Sequence, residues 1–141
     1  MAITMAATKA PGSGVLEHLN TRTLLRIHAG AFFIPQIYYK YESFEGVSGF
    51  LGKAGFYPAS LWVLLAGLVE TVIALALIFN VCTRQAALMA VGVLMVAGAT
   101  VAKVRGLSWL FNHGGVEYHV FWALICFYVF VDSWQEKSRG R

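Results

Sequence analysis

The chain has 141 residues, 58% of them hydrophobic and 13% charged, with a formal net charge of +4. Soluble domains run near ~45–50% apolar and ~25% charged, so this composition argues against a soluble domain and for one small integral membrane protein. Its basic residues are scattered between hydrophobic runs and at the two ends. No dense basic patch interleaved with aromatics is present, which sets nucleic acid aside as a partner.

The first segment, residues 1–20, lacks a basic stretch followed by a continuous apolar core and a cleavage site, so it does not read as a signal peptide. Pro11, Gly12, Ser13 and Gly14 predict a flexible arm there. A first span is expected over about 23–40, TLLRIHAGAFFIPQIYYK, although it carries Arg26, His28, Pro35 and Gln36. After it, Phe44, Val47, Phe50, Leu51 and Ala54 recur at near-helical spacing and predict a short amphipathic helix at the interface. Pro58 then punctuates the start of the clearest run, LWVLLAGLVETVIALALIF, within a span of about 60–80. A brief link, NVCTRQ, leads into a third span of about 85–103, making an antiparallel hairpin. The segment RGLSWLFNHGG turns the chain into a fourth span of about 116–134, and residues 137–141 form a basic tail.

The fold class expected is all-α, an integral membrane four-helix bundle with a short interfacial helix in its first outer loop, occupying residues 21–136 as one domain. Backbone polar groups in lipid must be satisfied within the segment, so each span is helical, and polar residues on it turn inward. Lys9, Arg22, Arg26, Arg84, Lys137, Arg139 and Arg141 fall on one side and Lys40, Lys53, Lys103 and Arg105 on the other. The more basic side faces the cytoplasm, which puts both termini there. Tyr38, Tyr39, Tyr41, Tyr57, Trp62, Trp109 and Tyr118 make the opposite boundary aromatic, as an interfacial belt or as a lid over an outward-facing cavity.

Glu70 is the centre of the second span, where a carboxylate costs several kcal/mol unless paired or protonated. Arg26 and His28 are its candidate partners, and Arg26, with the longer reach and permanent charge, is preferred as one half of a buried ion pair. That pair reads either as a packing device or as a ligand- or proton-handling site. At the outer mouth stand His113, Glu117 and His119. Glu117 in the first turn of the last helix is favoured by the helix dipole alone. A metal site is a poor match, with no HExxH and with residues 117 and 119 on opposing helix faces. The third reading pairs Glu117 with Lys40, Lys103 or Arg105 and leaves Lys40, His113, Glu117, Tyr118 and His119 around a small hydrophobic ligand. Cys82 and Cys126, at different depths, read as packing residues, with no CxxC for dithiol chemistry.

TLLRIHAGAFF, YYKYESF, GLVE at residues 67–70, the Thr83–Arg84 pair and GGVEY at residues 114–118 follow one another in order. In these the chain resembles the DoxX family of small bacterial membrane proteins, over roughly residues 23–134. The resemblance implies four transmembrane helices in a bacterial inner membrane and a tie to membrane redox complexes, including thiosulfate:quinone oxidoreductase subunits. It also implies that Arg26, Lys40, Glu70 and Glu117 occupy recurring polar positions, while His28, His113 and His119 lie outside the pattern. The expectation is a subunit of a membrane redox system that contacts quinone or a similar hydrophobic molecule. No covalently bound cofactor is expected, and catalysis is left undecided. Its partners would be the lipid bilayer, a larger membrane or redox protein and, as an option, further copies of itself. The alternative is a structural anchor for a larger complex; a small transporter, coupled through Glu70, ranks third because no paired interruptions suggest inverted repeats.

Overall fold

The computed structural model describes residues 20–140. The expected arm, apart from Asn20, and the final Arg141 lie outside those residues. Among the described residues every regular element is helical: α1 (Thr21–Ala31), α2 (Phe33–Glu42), α3 (Phe44–Ala54), α4 (Ala59–Phe79), α5 (Thr83–Arg105) and α6 (Glu117–Arg139), with a single 3-10 turn at Phe111–His113.

The first expected span is two helices rather than one. Pro35 has no N–H to offer the carbonyl four residues back, and its ring crowds that carbonyl. The residue four back is Ala31, the last of α1. Pro35 falls in the first turn of α2, where the missing donor is not needed. The chain therefore bends at Phe32. At the other end, α6 runs through the expected 137–141 tail as far as Arg139.

α4 and α5 are each long and apolar enough to cross a membrane, with mean hydropathies of 2.5 and 2.0. Their faces differ from those of a soluble helix. Leu61, Leu64, Leu65, Leu68, Val72 and Leu75 of α4 point outward, with Leu68 59% exposed, while Gly67, Glu70 and Ala74 are buried. Val63, Ile73 and Leu77 are buried too, so α4 is apolar all round with small and polar residues confined to its inner face, which suits lipid, because lipid tails give no reason to hide a leucine and small residues let backbones approach.

α1 packs against α4 and α6, and α5 packs against the same two, closing a ring of contacts. Its interior holds Ala29, Phe33, Ile73, Leu77, Ala87, Ala90, Trp122 and Cys126. Both cysteines are free, Cys82 exposed and Cys126 buried. One end of the ring gathers Thr21, the short link at Asn80–Cys82 and the last turns of α6; we call it the terminal end. The opposite, loop end carries α3 and residues 106–116. There α3 lies against α4 and α5 with Phe44, Val47, Phe50, Leu51 and Ala54 shielded and Glu45, Gly49 and Lys53 exposed, the amphipathic helix expected. Lys103 Nζ donates to the Ala54 carbonyl at 2.7 Å, and the Arg105 guanidinium sits 5.6 Å from the centre of the Phe50 ring.

Residues 106–116 fold back on themselves. The amides of Gly115, Val116 and Glu117 donate to the carbonyls of Leu110, Ser108 and Trp109. A Cβ on Gly115 would stand 2.5 Å from the Trp109 carbonyl carbon and oxygen, so no larger residue fits without moving the backbone.

Candidate functional site

The one buried charge in the middle of α4, Glu70, is paired from α2. Lys40 Nζ lies 2.8 Å from Glu70 Oε2, with the two side chains only 16% and 7% exposed. The expected Arg26–Glu70 pair does not form. Arg26 Nη1 instead donates to the carbonyls of Leu77 and, at 2.9 Å, Ile78. Those carbonyls belong to the last turn of α4, where helical geometry leaves them without a backbone partner and the macrodipole is negative. A guanidinium there satisfies both demands. Seven residues of rise separate Leu77 from Glu70, roughly 10 Å, which is why Arg26 does not reach both.

Lys40 reaches Glu70 because α2 packs against α4. Gln36, one turn earlier on the same face of α2, donates from Nε2 to the Tyr118 hydroxyl at 3.5 Å. Tyr118 opens α6 and is enclosed by rings: Phe111 at 5.8 Å, His119 at 5.5 Å edge-on and Trp122 at 6.5 Å stacked. His119, beside it, turns inward onto α5. A Cβ on Gly98 would come within 3.2 Å of His119 Cβ, so the glycine makes the space in which the imidazole sits. His119 Nδ1 is buried without a hydrogen-bond partner. Three helices thus bring Gln36, Lys40, Glu70, Tyr118 and His119 into one polar cluster inside an apolar bundle.

Of the ligand set expected at the outer mouth, Lys40, Tyr118 and His119 come together and the other two do not. His113 is exposed on the 3-10 turn. Glu117 accepts the Phe111 amide at 3.3 Å, which pins that turn to the start of α6. The pairing envisaged for it with Lys40, Lys103 or Arg105 is not made: Lys40 is on Glu70, Lys103 on Ala54, and the Arg105 side chain runs over Gly114. Gln36 and Gly98 belong to the cluster but were not singled out from the sequence. Gln36 carried a signal, the i, i+4 spacing to Lys40; Gly98 carried none beyond being one small residue among many on α5. Among the described residues no three of His, Cys, Asp and Glu gather to hold a metal.

Chemically the cluster offers donors of three kinds, an ammonium, a phenol and an imidazole, around one carboxylate. Such a set can hydrogen-bond a carbonyl oxygen and exchange a proton with it. The family model named DoxX matches residues 21–103, which contain Arg26, Lys40, Glu70 and Gly98. Searches of curated proteins and of solved structures gave no match. With more than half its length matched by that model and two helices fit to cross a bilayer, the chain is a membrane protein belonging to the DoxX family.

Proposed function

We propose that this chain is a subunit of a redox system in a bacterial inner membrane, crossing the bilayer four times with both termini in the cytoplasm. In this reading it contacts quinone, or a similar hydrophobic carbonyl compound, at the cluster of Gln36, Lys40, Glu70, Tyr118 and His119. The ring of contacts among α1 with α2, α4, α5 and α6 supports four crossings. The excess of Lys and Arg at the terminal end supports the orientation.

The single observation that carries the ligand reading is His119 Nδ1, buried and unpartnered, with its ring edge-on to Tyr118, whose hydroxyl accepts from Gln36. An orphaned buried nitrogen costs about 1–3 kcal/mol, and a ligand oxygen placed against it would recover that. Trp122 and Phe111, stacked and tilted against Tyr118, supply apolar surface for a ring. Lys40, His119 and Tyr118 would donate to the ligand's oxygens, and Glu70 would hold the lysine in place. Electrons would come from and go to a partner protein, because the chain carries no flavin, haem or dinucleotide motif.

The test is titration of the purified protein in detergent with a short-chain benzoquinone, read by tryptophan fluorescence. His119→Phe should weaken binding about tenfold, the loss of one hydrogen bond in an apolar setting. Glu117→Gln, which touches only the 3-10 turn, should leave it unchanged. Full binding by His119→Phe refutes the reading.

One observation favours the anchor reading as well: Lys40 is engaged by Glu70, and Arg26 by the carbonyls of Leu77 and Ile78. Under that reading Lys40→Met combined with Glu70→Leu keeps the partner complex intact on pulldown, and His119→Phe has no effect on it.

A further inference from the structure

Two cavities open on the seam between α1 and α6. One is an apolar groove of about 350 Å³, walled by Leu24, His28, Phe32, Trp122 and Ile125. The other, about 310 Å³, lies at the terminal end and is polar, with Arg22, Arg26, Tyr128, Asp132 and Glu136 in its wall. Thr21 and Leu25 line both, so the groove and the cavity are neighbours along α1. From Thr21 to Phe32 the groove follows α1 for roughly 16 Å. That is the depth of one leaflet of a hydrocarbon core ~30 Å thick.

The polar cavity is balanced in charge, lined by two guanidinium groups and two carboxylates; Arg26 spends Nη1 on the carbonyls of Leu77 and Ile78 and keeps its remaining N–H groups for a ligand. Arg22 Nε lies 3.1 Å from Asp132 Oδ1. The first turn of α1 also borders it, with no acidic residue in that turn, and the Asn20 side chain caps only the Thr23 amide. The amides of Thr21 and Arg22 add to the positive end of that helix. The chemistry therefore fits a head with one anion and one cation, joined to a chain that wants apolar walls.

We propose that this seam holds one phospholipid whose zwitterionic head carries a primary ammonium, its phosphate against Arg22 and Arg26, its ammonium against Asp132 and Glu136, and one acyl chain along the groove. A purely anionic head brings hydroxyl donors at most, and no positive charge, to two carboxylates. A quaternary ammonium has no N–H to donate to those carboxylates. A quinone has no charge for four charged side chains to read. Its polar cavity lies at the opposite end of the bundle from α3, and the groove meets the proposed quinone site only at Trp122.

The test is native mass spectrometry of the full chain in detergent, titrated separately with phosphatidylethanolamine, phosphatidylcholine and phosphatidylglycerol. One phosphatidylethanolamine per chain is expected, at about tenfold higher affinity than either other lipid, the value of one or two charge-assisted hydrogen bonds. Arg22→Gln should lower that affinity severalfold; Arg22 is half exposed, so the variant folds. Leu24→Trp, from an exposed position in the groove, should block the acyl chain and abolish lipid retention. Equal binding of the three lipids, preference for phosphatidylglycerol, no retained lipid, or indifference to Leu24→Trp each overturns the proposal. So does displacement of the lipid by free phosphoethanolamine, which would make this a site for a soluble head alone, or by a benzoquinone.

Discussion

Among the described residues two ion pairs tie the first helical unit to the rest of the molecule, and they are alike in chemistry and unlike in setting. Lys40–Glu70 is 2.8 Å long and almost entirely enclosed. Arg22–Asp132 is 3.1 Å long, with side chains 50% and 34% exposed, at the terminal end. Distance barely separates them; surroundings do. Removing one member of an enclosed pair strands a charge where nothing solvates it, whereas water replaces a lost partner at the surface. Mid-bundle charges of this kind fix which helix faces which, while pairs at the rim tune only how firmly ends are held.

The comparison breaks first at Glu70. Glu70→Ala should cost ~3–5 kcal/mol in unfolding free energy, since it leaves the Lys40 ammonium buried and alone; denaturation in mild detergent reads this out. Replacing both members, Lys40→Met with Glu70→Leu, should recover most of the loss, because two apolar groups of similar volume need no partner. A double variant as unstable as Glu70→Ala would mean that the damage is to packing rather than to charge. Next comes Arg26→Met, which deprives the last carbonyls of α4 of a cationic donor and should cost roughly 1–2 kcal/mol. Smallest is Arg22→Gln, at ~0–1 kcal/mol. Salt sharpens the contrast. Raising ionic strength from ~0.1 to ~1 M shortens the screening length from ~10 to ~3 Å, so the Arg22–Asp132 contribution should vanish while that of Lys40–Glu70 persists. A double-mutant cycle on each pair, at both salts, separates them directly.

How far the sequence led depends on how continuous each signal was. α4 and α5 were expected within two residues of where they lie because their apolar runs are long and unbroken. α3 declared itself by the spacing of five apolar residues. The first unit was misjudged at one residue type. Pro35 sits inside a pattern that otherwise reads as one helix, and a straight helix would have matched Arg26 with Glu70. Once Ala31 loses its hydrogen-bond donor, α2 packs against α4, Lys40 meets Glu70, and Arg26 is left level with the end of α4. Glu117 lies in the first turn of α6 as expected, but its pairing with a loop-end cation and its grouping with His113 do not form, for another reason. The path of residues 106–116 is set by carbonyls meeting amides around Gly115, which no periodicity reports. The inward turn of His119 rests on the absence of a side chain at Gly98, on the preceding helix.

The bend at Phe32 has a mechanical meaning. Below it, Arg26 clamps α1 to the foot of α4. Above it, Lys103 fastens the far end of α3 to α5. Between those two fixings, α2 is a strut with a joint at its lower end, and its only charged grip on α4 is one ammonium on one carboxylate. Moving α2 away from α4 pulls the two charges apart. Lifting the strut and separating the charges are in that sense a single movement, governed by a proline three residues beyond the joint.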